Sequence, residues 1–234
     1  MNLLRILLGG PPSKHARPRP HAHPRPQRNP PLPRPRLIAF GRNLAGLVAV
    51  SGSAKVVHAL TSPTNPHLPL ALGVLPGMVA NGTNYSDGLR KAIDLLAQAP
   101  PGFAREIIVL CDGVDNVERE ALLGQVHRAR GMNARIDAVA IGHDKAGHSF
   151  DFSRLIAMTR PTGGRVMGVG SLKALQERFE GLAARGGRDL GRAVAKVLVM
   201  DVSPSMTEAW DRSTKLACAQ LAAARWLAIE AKMQ

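Results

Sequence analysis

The chain has 234 residues, 45% of them hydrophobic, which excludes wholesale disorder and suffices for one domain with a sizeable core. Aromatic residues make up only 3%, so that core must be built from Ala, Leu, Val and Ile. The formal net charge of +14 suggests a polyanion-binding protein, but the charge is unevenly placed: residues 1–36 carry eight Lys or Arg and no acid, leaving 23 of the 31 basic residues against all 17 acids in the remainder.

Residues 11–36 hold ten of the 18 prolines, interleaved with Arg and His. Proline lacks the amide hydrogen that helix and sheet require, so residues 1–36 are expected to be a disordered basic tail outside the domain. No aromatics alternate with the basic residues to stack on bases, so nucleic-acid binding through the tail is the minor reading.

From residue 37 the pattern changes. LIAF (37–40), LAGLVAV (44–50) and KVVHAL (55–60) read as strands. Residues 86–99 read as a helix with Leu89, Ala92, Ile93 and Leu96 on its buried stripe, capped by Ser86 or Asp87 and stopped by Pro100-Pro101-Gly102. EIIVLC (106–111) is a continuous apolar run, as in strands buried on both faces. A helix over 118–130, a strand over 136–142, a short helix over 150–160 and a strand over 165–169 follow. Ser171 caps a helix whose stripe is Leu172, Leu175, Phe179 and Leu182 and which ends at Gly186-Gly187. VLVMDV (197–202) is a second buried strand, and 213–233 a largely apolar helix.

Strands alternating with helices predict an α/β domain, a doubly wound, mostly parallel Rossmann-like sheet with helices on both faces. Ligands of such sheets bind at the carboxyl ends of the strands. Two predicted strands end there in aspartates, Asp112 and Asp201. Asp201-Val202-Ser203-Pro204-Ser205 places alternate side chains where they can converge on one point. Asn81-Gly82-Thr83-Asn84 precedes a helix. Carboxylates and small hydroxyls are hard oxygen donors that suit Mg²⁺, Mn²⁺ or Ca²⁺ rather than zinc. Taken singly, the serines read better as caps of the following helix and Asp112 as the end of a strand; taken jointly with Thr83, they read better as one site. His143 and His148 lack a third nearby ligand, Asp115, Asn116 and Glu118 read as a helix start, and Cys111 and Cys218 read as reduced core residues. No apolar run is long enough to span a bilayer, and the default expectation is a cytoplasmic protein.

These segments resemble the von Willebrand factor A (VWA) domain with its metal-ion-dependent adhesion site. Its D-x-S-x-S motif corresponds to Asp201, Ser203 and Ser205, its Gly-Thr loop to Thr83 and its D-G loop to Asp112. LIAFG resembles the family's second strand, and NGTNYSDGLRKAIDLL and REIIVLCDG its third and fourth segments. The resemblance spans 37–234. It implies that the two serines and Thr83 give hydroxyls to Mg²⁺, that the aspartates bind directly or through water, and that one position is left for a partner's Asp or Glu. Pro204 stands where the family commonly has Gly.

The order differs from the family's, because the D-x-S-x-S strand and its helix come last. The resemblance therefore implies a circular permutant: residues 37–185 carry strands two to six and the last helix, 186–196 a connector, and 197–234 the central first strand and first helix. Strand 197–202 is expected between the strands at 37–40 and 106–111. Closure within one chain is expected over a domain-swapped homo-oligomer. The implied function is non-enzymatic, Mg²⁺-dependent binding of a protein partner, with an AAA+ ATPase as one partner class. Nucleic-acid binding through the tail and metal-dependent hydrolysis are the alternatives.

Overall fold

A computed structural model describes residues 43–112, 119–142, 152–188 and 193–234, all within the compact unit Ile38–Gln234. The basic tail, the LIAF segment, residues 113–118 with Asp115, Asn116 and Glu118, and residues 143–151 with His143 and His148 lie outside the described residues.

The strands are β1 Asn43–Val50, β2 Ala54–Thr61, β3 Ala104–Cys111, β4 Ala134–Ile141, β5 Val166–Val169 and β6 Val194–Asp201, with a two-residue pair β7 Ala209–Trp210 and β8 Ser213–Thr214. The helices are α1 His67–Gly73, α2 Tyr85–Leu96, α3 Arg119–Gly131, α4 Phe152–Thr159, α5 Leu172–Arg188 and α6 Lys215–Lys232. The main sheet runs in the order β2-β1-β6-β3-β4-β5. Only β2 is antiparallel to its neighbour; the other pairings are parallel.

The last long strand in the chain is thus central. Within the single chain, β6 pairs along its length with β1 (Asn43↔Val194 to Val50↔Asp201) and with β3 (Ala104↔Val194 to Leu110↔Met200). All eight of its residues are buried. Successive side chains of a strand point to opposite faces, and both faces here are apolar. Leu198 and Met200 join the layer that holds Leu68 of α1, Phe179 of α5 and Trp226 of α6. Val197 and Val199 join the layer of Leu89 from α2, Val126 from α3 and Leu155 from α4. The result is a three-layer α/β sandwich with helices on both faces.

Several boundaries differ from expectation. The strand beside β6 is Asn43–Val50, not 37–40; the two apolar runs are three residues apart, and apolar pattern alone does not say which one pairs. Asn84, not Ser86 or Asp87, caps α2: its side chain accepts from the Asp87 amide. The segment before it forms α1 and a 3-10 turn, Leu75–Met78, where the prolines conceal any helical period. Helix α5 passes the predicted stop at Gly186 and continues to Arg188, and β6 starts at Val194 rather than 197. Helix α6 starts at Lys215, capped by the Thr214 hydroxyl, because Ser213 and Thr214 instead pair with Trp210 and Ala209.

At the amino end of the sheet lies a buried polar cluster. Lys196 and Glu230 are each 1% exposed and form an ion pair. Asn43 Nδ2 donates to Glu230 Oε2 at 2.8 Å, and Trp226 Nε1 donates to Glu230 Oε1 at 3.1 Å. Lys196 Nζ also donates to the Leu182 carbonyl of α5 at 3.3 Å. The cluster joins β1, β6, α5 and α6, and so fixes the C-terminal unit to the rest. Breaking such a pair leaves one charge buried and uncompensated, whereas replacing both partners with apolar residues is often tolerated. Glu230→Ala is expected to cost about 3–5 kcal/mol of unfolding free energy in urea titrations. Lys196→Met combined with Glu230→Leu is expected to recover most of that loss.

Candidate functional site

The carboxyl end of β6 holds the chemistry. Asp201 is the last residue of that strand and is 0% exposed. Its Oδ1 accepts from the Ser203 amide at 2.8 Å, which turns the chain directly after the strand. The Ser203 and Ser205 hydroxyls lie 3.0 Å apart; Ser203 directly precedes a 3-10 turn at Pro204–Thr207, and Ser205 lies within it. Pro204 is the first residue of that turn, where its fixed φ is tolerated. Neither serine caps α6, because Thr214 does.

Two other loops converge here. Asp112 follows β3, and because Leu110 pairs with Met200, it leaves the sheet next to Asp201. It is 7% exposed. Its Oδ1 is buried with no hydrogen-bond partner among the described residues. Thr83, 3% exposed, sits on the loop before α2. That loop is tied to the end of β6 by Ala80 N to Val202 O (3.4 Å), and to the end of β1 by Asn84 N to Ser51 O (2.8 Å). Helix α2 comes close because of Gly88: a Cβ there would lie 2.5 Å from Val50 Cγ2 and 3.1 Å from Val199 Cγ1. The structure therefore joins Asp201, Ser203 and Ser205 directly, sets Asp112 beside them, and brings in Thr83 through the backbone of its loop.

Three neighbours carry no signal in the D-x-S-x-S pattern. Tyr85, the first residue of α2 and 2% exposed, donates its hydroxyl to Asp201 Oδ2 at 2.9 Å. Burial, with the nearby acids, holds its own phenol well above the ordinary tyrosine range. Lys215, the first residue of α6, places Nζ 3.5 Å from Asp112 Oδ2 and 2.8 Å from Glu208 Oε2. A cation at a helix N-terminus opposes the helix dipole, and that is the signal from which a buried anionic partner for Lys215 is legible in sequence.

The electrostatics follow from burial. Desolvation pushes the Asp201 carboxyl up to about 7, and the charge of Asp112 adds to the rise, while the Ser203 and Tyr85 hydrogen bonds pull the other way. Two buried aspartates are thus close enough to feel each other's charge, with one ammonium on Asp112. Among the described residues, no three His, Cys, Asp or Glu side chains gather as metal ligands. The set is two carboxylates with hydroxyls. It fits a hard divalent cation: the buried Asp112 Oδ1 is unpartnered, and carboxylate oxygens that already accept one hydrogen bond keep a further lone pair.

No protein-family model matches the chain, and no curated protein matches it. Solved structures do. A von Willebrand factor type A protein from Catenulispora acidiphila aligns over 61% of this chain and 33% of its own, with 23% identity and a TM-score of 0.53. The fold is VWA-like. The VWA domain of SpRpn10 aligns over 54% of this chain and 65% of its own, with 20% identity and a TM-score of 0.43. The conserved hypothetical protein BatB from Bacteroides thetaiotaomicron aligns over 64% and 82%, with 13% identity and a TM-score of 0.49. The chain spans about a third of the length of the Catenulispora protein. VWA-like architecture accounts for the parallel sheet and for the loops gathered at its carboxyl edge. Among the described residues, no helix is long and apolar enough to cross a membrane.

The raised Asp201 carboxyl has a consequence for metal-free protein. Between its unfolded value near 3.8 and its folded value of about 7, the folded state holds a proton that the unfolded state has released. Stability from this group is therefore present at low pH, falls as pH rises through that window, and is flat above it. Asp201→Asn removes the titration. In EDTA, the difference in unfolding free energy between wild type and Asp201→Asn is expected to grow, against the wild type, by a few kcal/mol from about pH 4 to 7. A difference independent of pH would contradict the buried-carboxyl assignment.

Proposed function

We propose that this chain is a non-enzymatic, divalent-cation-dependent protein-interaction module. Mg²⁺ is the expected ion, with Mn²⁺ and Ca²⁺ as substitutes, held by the hydroxyls of Ser203, Ser205 and Thr83 and by Asp201 and Asp112, directly or through water. The observation that carries this reading is the buried pair Asp112 and Asp201, with an unpartnered carboxylate oxygen, beside paired serine hydroxyls at the carboxyl edge of the sheet. The ion would supply an electrophilic centre that neutral hydroxyls satisfy incompletely, leaving it attractive to a carboxylate from outside. The partner is therefore a protein that presents an Asp or Glu.

The same reading accounts for the strand order. Counted with β6 first, β2-β1-β6-β3-β4-β5 becomes 3-2-1-4-5-6, the VWA order, so the chain is read as a circular permutant whose first strand and helix come last.

Only the folded state assembles these loops, so the ion should stabilise by linkage, by about 2.7 kcal/mol at a hundredfold excess over its dissociation constant. Millimolar Mg²⁺ is expected to raise the melting temperature of wild type, and EDTA to reverse the rise. Asp201→Ala should abolish it, and Asp112→Ala or Thr83→Ala should weaken it. Melting indifferent to Mg²⁺, Mn²⁺ and EDTA alike would overturn the proposal. Partner capture that survives EDTA but falls steeply with salt would instead favour nucleic-acid binding.

A further inference from the structure

Lys215 does more than begin a helix. Its side chain is 14% exposed and lies between Asp112 (3.5 Å) and Glu208 (2.8 Å). Its stem crosses the end of β4 at Gly142, which has φ of +91°; a Cβ there would lie 3.1 Å from Lys215 Cε and 3.8 Å from Nζ. Gly142 thus leaves the channel through which the ammonium reaches the site. The chain places this charge where the helix dipole disfavours it, and α6 has no acidic residue in its first turn to compensate. What compensates is Asp112, across the site, and Glu208, beside it.

Resting on the metal-site reading above, we infer that Lys215 is a tethered counter-ion that occupies the anionic site in the absence of metal and competes with the divalent cation for Asp112. From its one position in the structure the ammonium contacts two carboxylates, so leaving one does not mean leaving both. One partner, Asp112, is 3% exposed at its side chain and belongs to the site; the other, Glu208, is 65% exposed and stands outside it. A divalent cation on Asp112 repels the ammonium, and Glu208 receives it, so the lysine is never left buried without an anion. Lys215 therefore lowers the site's affinity for metal, and Glu208 limits that effect by drawing the ammonium away. A lysine that only packed at the helix start would change stability and leave metal affinity alone.

Isothermal titration of the full-length protein with Mg²⁺ alone, at low ionic strength, tests this. Lys215→Met removes the competitor and is expected to tighten Mg²⁺ binding on the order of tenfold. Glu208→Gln removes the outer anchor and is expected to weaken it severalfold. Lys55→Met is the control for general charge. This lysine lines a small cavity with Ser51 and Val202, at the same edge of the sheet, and its loss is expected to change affinity less than twofold. Melting gives a second readout. Lys215→Met should melt below wild type in EDTA, where Asp112 loses its counter-ion, yet gain more from added Mg²⁺. Binding by wild type with Lys215→Met unchanged or weaker would overturn the inference and leave the metal site standing. An equal gain from Lys55→Met would overturn it too, by reducing it to net charge. Mg²⁺ binding by neither wild type nor Lys215→Met would overturn the metal site and this inference together.

Discussion

The sheet closes around a strand that the chain supplies last. Strands β1 and β2 pair with each other, β3, β4 and β5 pair in series, and β6 alone hydrogen-bonds to both groups. Without it, β1 and β3 would each present an unpaired inner edge, and such edges template association with other chains. Its apolar residues on both faces tie the two helical layers together. The core of this molecule is therefore a consequence of one eight-residue segment reaching one slot.

The same segment assembles the site. Asp201 is the final residue of β6, and Ser203 and the 3-10 turn that carries Ser205 follow it. Asp112 and the loop of Thr83 arrive from the two groups of strands that β6 joins. Closing the sheet and building the anionic site are thus one event. The two ends of the strand use charge differently. At the amino end, Lys196 and Glu230 are paired and surrounded by hydrogen-bond partners from Asn43, Trp226 and α5. At the carboxyl end, Asp112 raises the burial cost of Asp201 and keeps a buried Oδ1 with no partner among the described residues. The first arrangement is satisfied and structural; the second is unsatisfied and is where a ligand gains most.

Much of this was legible in the sequence, for identifiable reasons. Buried strands such as 106–111 and 197–202 announce themselves as continuous apolar runs, and the stripe Leu89, Ala92, Ile93, Leu96 fixes the inner face of α2. The aspartates at strand ends and the D-x-S-x-S spacing pointed to the carboxyl edge. What was not legible depends on pairs distant in the chain. Lys196 reads as the last residue of a connector until Glu230, 34 residues on, is known to face it. Tyr85 reads as a helix N-terminus residue until Asp201 is placed above it. The choice between LIAF and NLAGLVAV as neighbour of the central strand rests on register, which pattern does not contain. Helix α1 and the 3-10 turn after it show no legible period because Pro66, Pro69 and Pro76 punctuate them.

Strand β6 is the innermost element of a cooperative sheet rather than an appended C-terminal unit. Native-state hydrogen exchange of the full-length protein measures this most directly, because it gives each amide its own opening free energy. The amides of Val197, Leu198 and Val199 are expected to exchange only by global unfolding, with the same free energy and denaturant dependence as Ile108 and Val109 of β3 and Val48 of β1. Exchange of β6 and α6 at a distinctly lower free energy, while β1 and β3 stay protected, would contradict the account and make the C-terminal unit a separable addition.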